Sequence, residues 1–544
     1  MSWTETLLES LSLERRVGQL FAPRADSFYA AEDSDAFQRL VRLTAEFGVG
    51  GFVLFQGDVF GQAMVVRALQ ERAEVPLLFG QDAEWGIGMR LFDATTFPSM
   101  AAIAASRDKR HAYEVGRVTA AEARALGVFH VYAPVADVNN NPKNPIINVR
   151  SFGEDVGLVR DFAGEVIRGL QDGGVLATAK HFPGHGDTAV DSHADLPELA
   201  FDEDRLQSLE WVPFKAAIEA GVDSIMVGHL AMTSIDGPDA GPASLSRRVV
   251  TGILREQLGY DGLVVSDALD MQGVQKQFDP GEAAVRCVEA GVDVLLTSPD
   301  DEAAFAAVLK AVDKGRISAE QLDASVKRIL EAKERVNLVG GAVPDIRAVR
   351  SIVASGEHVK SADQAAAAGV TLLKSDGTVP LPDRARVLVI TLNDTDRPTD
   401  RTRAFLDALS RDGKRESIDH VELCRTVYPD QEREVLDKAE SVDVVVIASV
   451  VAVRSFSGQI GLPEDHGRLV GKLAERKPPV FVALGSPYVI PDVDGHVGTV
   501  VLGYGHAPCM QRACVDVIRG RLKPTGTLPL TLSGEFRFGD GIVD

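Results

Sequence analysis

Fourteen residues, Lys180 to His193 (KHFPGHGDTAVDSH), gather one lysine, three histidines and two aspartates. That mixture of cation, imidazole and carboxylate suits either metal binding or the handling of protons and hydroxyl groups. Spacing helps to separate the two. His181 and His185 stand four apart, the interval of paired metal ligands on one helix face, but Pro183 and Gly184 between them forbid that helix. No metal and no other cofactor is expected. Asp191 and His193 are two apart, with only Ser192 between them. In an extended segment alternate residues point the same way, so the carboxylate can hold one ring nitrogen and leave the other facing a substrate. Acid–base chemistry is the leading reading, and a merely structural polar loop is the competing one.

Such a loop needs a scaffold, and the surrounding chain supplies a repeating one. Short apolar runs recur at Val17 to Ala22, Gly50 to Phe55, Pro76 to Gly80, Val128 to Val135 and Gly174 to Ala179. Three more follow at Ser224 to Val227, Gly262 to Val265 and Val292 to Leu296. Helix-patterned segments such as Phe214 to Ala220 and Glu282 to Ala290 lie between them. Alternating strand and helix implies parallel strands joined by crossovers, and eight such units suggest a (β/α)8 barrel of the TIM type. An open doubly wound sheet is the alternative. The placing of polar residues favours the barrel: Asp82 and Glu84 end the third run, Asp137 the fourth, Lys180 and His181 the fifth, His229 the sixth and Asp267 the seventh. Polar groups at the carboxyl ends of many strands are how a barrel assembles one active site.

Ser318 and Gln321 form a capping-box pattern opening the last helix of this domain, which is expected to span residues 1–338. A Gly-rich link and a connecting helix, 339–366, lead to a smaller α/β three-layer sandwich over 367–544. Val370 to Leu373 and the turn Ser375-Asp376-Gly377 lead into it, and its buried-strand runs are Val387 to Leu392, Val442 to Val450, Val480 to Gly485 and Gly498 to Leu502. Neither half contains a GxxxxGK[ST] loop, a G-x-S-x-G elbow or a paired CxxC motif.

The formal net charge of −22 argues against a nucleic-acid-binding or polybasic membrane-binding protein. No run of eighteen apolar residues occurs, so no membrane span is expected. The first twenty residues carry acids where a signal peptide has bases, and Cys287, Cys424, Cys509 and Cys514 are read as buried free thiols. A cytoplasmic protein is the expectation, and the oligomeric state cannot be read.

Three stretches together carry a family resemblance: KHFPGHGDTAVDSH, VVSDALDM at Val264 to Met271, and ADVNNNPKNPIINVRSFGED at Ala136 to Asp155. They resemble glycoside hydrolase family 3, most closely its β-N-acetylglucosaminidases, and GRLKPTGTLPLTL at Gly520 to Leu532 looks like the family's closing segment. The loop QDAEWGIGMR at Gln81 to Arg90 departs from the subgroup's commoner Glu-Gly-Gly version. The resemblance implies a retaining exo-enzyme releasing terminal N-acetylglucosamine from peptidoglycan or chitin fragments. It implies Asp267 as nucleophile, His193 as proton donor and acceptor with Asp191 behind it, and Asp82, Arg150, Lys180 and His181 as sugar-binding residues. His229 is a further pocket candidate. Chemically, retention needs a carboxylate below the anomeric carbon and a proton donor at the leaving oxygen. An imidazole in that second role is neutral when deprotonated and repels an anion less than a carboxylate does, so phosphorolysis is a real variant. Two rivals stand beside these. A β-glucosidase of the family takes its acid from the second domain, where Glu464 is the candidate. A sugar-binding protein without turnover would use the same fold, but it has no need of both nucleophile and acid.

Overall fold

The computed structural model describes residues 2–411, 417–454 and 458–543. The chain forms two compact units. The first comprises Met1–Thr95, Ala112–Val138 and Val159–His358, and the second Thr96–His111, Asn139–Leu158 and Val359–Asp544.

Among the described residues of the first unit, eight strand positions form a ring. β1 runs as Phe21–Ala22 and, past Pro23, as Arg24–Ser27. It is followed by β2 (Gly51–Gly57), β3 (Leu78–Gln81), β4 (His130–Val131), β5 (Leu176–Phe182), β6 (Ser224–Val227), β7 (Leu263–Ser266) and β8 (Leu295–Leu296). Each pairs in parallel with the next from β1 through β7. The ring closes through the Val265–Val294 bridge between β7 and β8 and through Phe21 beside Leu295. The strands read as short apolar runs because a parallel barrel buries both of its faces. Helices such as Val59–Gln70, Pro280–Ala290 and Ala319–Arg335 make the crossovers.

Local differences from the sequence reading have physical causes. Val17 to Gln19 end the helix Leu13–Gln19, capped by Ser12, so the first strand starts only at Phe21. Ser318 caps the last helix by accepting from the Gln321 amide, but the Gln321 side chain turns to the Val288 carbonyl, leaving half a capping box. The single helix expected after the link is two, Ile346–Ile352 and Gly356–Gly369, interrupted at Ala354 with φ +51°.

The second unit is built on one sheet: β9 (Thr371–Lys374), β10 (Val387–Asn393), β11 (Ile418–Leu423), β12 (Val444–Val450), β13 (Val480–Ala483) and β14 (Thr499–Leu502). Their spatial order is β9-β14-β13-β12-β10-β11, with β9 antiparallel and the rest parallel. Helices Arg403–Ser410 and Pro508–Ile518 pack on each other, as do Pro429–Ser441 and Glu464–Ala474, which completes the layered α/β sandwich. β11 was not anticipated. It is an edge strand, partly exposed and half polar in sequence, and so lacks the continuous apolar signature of its neighbours. Glu464 is the first residue of the helix Glu464–Ala474.

Candidate active site

Lys180 and His181 are not loop residues, because β5 continues to Phe182 before Pro183 and Gly184 end it. Three residues of β5, from Ala179 to Phe182, advance against two of β6, from Ile225 to Val227. Such a bulge inserts one residue and re-aims side chains that would otherwise alternate. The two consecutive side chains each find a partner from a neighbouring strand end. Lys180 Nζ lies 2.8 Å from Asp82 Oδ1 and 2.8 Å from Glu84 Oε1, beyond β3. His181 Nδ1 donates to Asp137 Oδ2, beyond β4, at 2.7 Å.

Asp82 also accepts from Arg90 across its own turn at 2.7 Å. Burial pushes this carboxyl up, but the Lys180 and Arg90 charges outweigh it and hold the group well below the ordinary carboxylate range. Asp82 is thus a fixed anion between two cations, all three at least four-fifths buried. Arg90 and Glu84 had no assigned role in the sequence reading. Their signal was faint: a second acid two residues past Asp82 and a base eight past it.

Asp137 is the buried hub of the loop. It accepts from the His181 ring and amide and from the His185 amide. His185 bonds Thr188 through one ring nitrogen at 2.8 Å and Ser192 through the other at 2.9 Å, and burial pushes it down to about 4, so it is neutral. Gly186 is obligatory here, since a Cβ would sit 1.7 Å from the Val138 carbonyl oxygen. Ser192 is therefore gripped between Asp191 and His193, and the dyad follows. His193 Nδ1 donates to Asp191 Oδ1 at 2.8 Å, and the same oxygen accepts the His193 amide at 2.9 Å. Asp191 is buried, while the His193 side chain is 28% exposed.

Asp267 follows β7 and joins this group. Its carboxylate accepts from the Ala268 amide at 2.8 Å. Burial would raise its pKa, yet it is lowered by His181, His229 and His193 together with that amide. The dyad loop packs on the segment after Asp267 through the Gln272 amide, which donates to the His193 carbonyl. His229, after β6, accepts from the Ser244 hydroxyl at Nδ1 (2.7 Å) and donates from Nε2 to the Ala268 carbonyl (2.9 Å). Both of its nitrogens serve the protein. Asp270 stands in the turn before Gln272–Gln275 and lies 3.4 Å from Thr297 Oγ1.

The structure thus brings Asp82, Lys180, His181, Asp191, His193, His229 and Asp267 to the carboxyl ends of the barrel strands. Arg150 lies on the turn Asn148–Arg150 in the second unit, where its guanidinium donates to the Ile146 carbonyl at 3.1 Å.

Known proteins carry the same architecture. The Glycosyl hydrolase family 3 N terminal domain matches residues 12–332, and the Glycosyl hydrolase family 3 C-terminal domain matches residues 370–536. The chain belongs to glycosyl hydrolase family 3. Similar members include a protein of Cellulomonas fimi named beta-N-acetylglucosaminidase/beta-glucosidase, 29% identical over 97% of this chain and 95% of its own. The solved family 3 beta-N-acetylglucosaminidase of Paenibacillus sp. str. FPU-7 superposes with a TM-score of 0.86 at 32% identity, covering 96% of this chain and 99% of that one. A beta-glucoside phosphorylase, BglX, superposes with a TM-score of 0.86 at 26% identity, covering 97% and 96%. Among the described residues no helix is long and apolar enough to cross a membrane.

Proposed function

We propose that this chain is a retaining exo-β-N-acetylglucosaminidase that removes terminal N-acetylglucosamine through a covalent glycosyl-enzyme. One observation carries the reading: the segment that follows Asp267 at the end of β7 packs on the loop of the partly exposed His193, whose Nδ1 is held by Asp191. Asp267 attacks the anomeric carbon as the glycosidic bond breaks, and protonated His193 gives its proton to the departing oxygen. Water then surrenders a proton to His193 and displaces Asp267 from the anomeric carbon, restoring both groups. Asp191 keeps the imidazole in one tautomer and stabilises its cation, as the buried aspartate of a hydrolytic triad does.

In this reading Asp82, Lys180 and His181 hold the hydroxyls of the bound sugar, the Asp82 carboxylate accepting and the Lys180 ammonium donating. Arg90 and Glu84 keep Asp82 and Lys180 in place. His229 steadies the Ala268 carbonyl next to Asp267, since neither of its nitrogens is left for the sugar. The likeness to the FPU-7 and Cellulomonas fimi proteins supports N-acetylglucosamine as the sugar. Peptidoglycan or chitin fragments as substrates, met in the cytoplasm, are the finer reading; the four unbridged cysteines support a reducing compartment.

Phosphorolysis is the second reading, favoured by the likeness to a beta-glucoside phosphorylase and by the imidazole acid–base pair. Product analysis with an aryl β-N-acetylglucosaminide, with and without phosphate, separates the two: free sugar in both supports hydrolysis, and sugar 1-phosphate supports the second. Faster cleavage of an aryl glucoside than of the N-acetylglucosaminide would overturn the sugar assignment.

A further inference from the structure

The second unit has a rim of its own, at the carboxyl ends of its parallel strands. The chain runs from β10 outward to β11, then returns to the other side of β10 to lay down β12, β13 and β14. The order therefore reverses between β10 and β12. In open α/β sheets the loops leaving two such strands diverge, one passing over each face, and the crevice between them is where ligands settle.

What lines that crevice is cationic, in a chain whose formal net charge is −22. Asp394, immediately after β10, is completely buried. Its Oδ1 accepts from Arg401 at 3.0 Å, and its Oδ2 lies 2.9 Å from Arg454, beyond β12. The Ala452 amide donates to the same Oδ2 at 3.0 Å. One carboxylate thus meets two guanidiniums, and the cluster retains one positive charge. Arg425, beyond β11, donates to Gln459 Oε1 at 2.6 Å while its own amide bonds the Thr395 carbonyl next to Asp394. His506, beyond β14, adds no counter-charge: burial and the Arg401 charge push it down to about 4, so its ring is neutral.

A second feature points the same way. Among the described residues Arg454 Nε is a buried N–H donor without an acceptor, although the Nη2 of the same guanidinium is used by the Asp394 carboxylate and carbonyl. A guanidinium presents its donors as a fork that fits two oxygens of one carboxylate or phosphate, and here the fork is half filled. Excess positive charge in a half-buried place is costly unless an anion completes it.

We propose that the crevice between the carboxyl ends of β10 and β12 is an anion-binding site, taking a phosphate or carboxylate group through Arg454 and Arg401. Asp394 is then the spacer that holds the two guanidiniums at a fixed separation and trims the charge so that binding is reversible. The inference does not depend on which glycoside the barrel cleaves. It concerns the second unit alone.

The test is isothermal titration of the full chain with inorganic phosphate and, separately, with D-glucuronate, at ionic strength held constant with chloride. At least one probe is expected to bind in the millimolar range or tighter, and Arg454→Gln to weaken it about tenfold or more. Binding of phosphate alone identifies a phosphate or phosphorylated ligand, and binding of glucuronate alone an acidic sugar. Thermal unfolding without probe establishes that the variant is folded. Should it not fold, Arg454→Lys retains the charge beside Asp394 but lacks Nε, and is expected to bind the same probe more weakly than the wild type. Wild-type affinity in the folded variants, or no heat from either probe, would overturn the proposal and leave the cluster a structural pin.

Discussion

The first unit contains one chemical pair twice, in two settings. Asp137–His181 and Asp191–His193 are both carboxylates accepting from Nδ1, at 2.7 and 2.8 Å. The first pair hangs between β4 and β5, where Asp137 is fully buried and also accepts two backbone amides. The second lies on a loop beyond β5, with its ring more than a quarter exposed. A buried pair saturated with donors resists any change of charge, because each lost partner leaves a desolvated group behind. A pair whose ring is partly open to solvent can pass a proton to a bound ligand. Identical residue types therefore give a clamp in one place and a proton carrier in the other, and the surroundings make the difference.

The largest expected effect falls on the group that both pairs face. Asp267→Ala should lower kcat on an aryl β-N-acetylglucosaminide by on the order of 10⁴-fold with an unchanged melting temperature. His193→Ala should cost roughly 10²–10⁴-fold and flatten the pH–rate profile, whereas His181→Asn should mainly raise KM and keep the profile's shape. Equal changes in profile shape from both histidine variants would break the contrast.

The two aspartates sharpen it further. Asp191→Asn is expected to lower kcat about 10²-fold while unfolding within a few degrees of the wild type. Asp137→Asn is expected to destabilise the fold by about 1–3 kcal/mol, because it leaves a buried donor unsatisfied. A Asp137→Asn protein as stable as the wild type would remove the clamp from the account.

The last effect is one of pH. His185 tethers the clamp to the dyad and is held neutral down to about 4, against an unfolded value of ~6.5. Below ~6.5 the unfolded chain takes up a proton that the folded chain refuses, so this stability is complete above that pH and is lost on going down toward 4. Between pH 7 and pH 5 the wild type should lose about 2 kcal/mol more than His185→Asn, measured by denaturant unfolding at each pH.

Much of this was legible in the chain. The apolar runs marked the barrel and sandwich strands because burial on both faces of a parallel sheet forces continuous hydrophobicity, and the polar edge strand β11 escaped for lack of it. The dyad was legible because its partners are two residues apart. The clamp was not. Asp137 and His181 are separated by 44 positions, and Lys180 and Asp82 by 98. The sequence marked Glu84 and Asp137 as strand-end polar residues without assigning their partners. Arg150 sits in a segment that groups with the second unit although it lies within the barrel's stretch of chain, a discontinuity that no local pattern announces.

The sequence by itself determined which side chains could do chemistry and roughly where along the alternation of strand and helix each would fall, since periodicity and turn residues act over a few neighbours. The tertiary structure decided which carboxylate meets which base, through the closure of the ring and the extra residue in β5. It also decided that two like-built aspartate–histidine pairs differ in exposure. Those outcomes depend on the register between distant strands and on how much water each pair retains, and neither quantity is written in any single stretch of the chain.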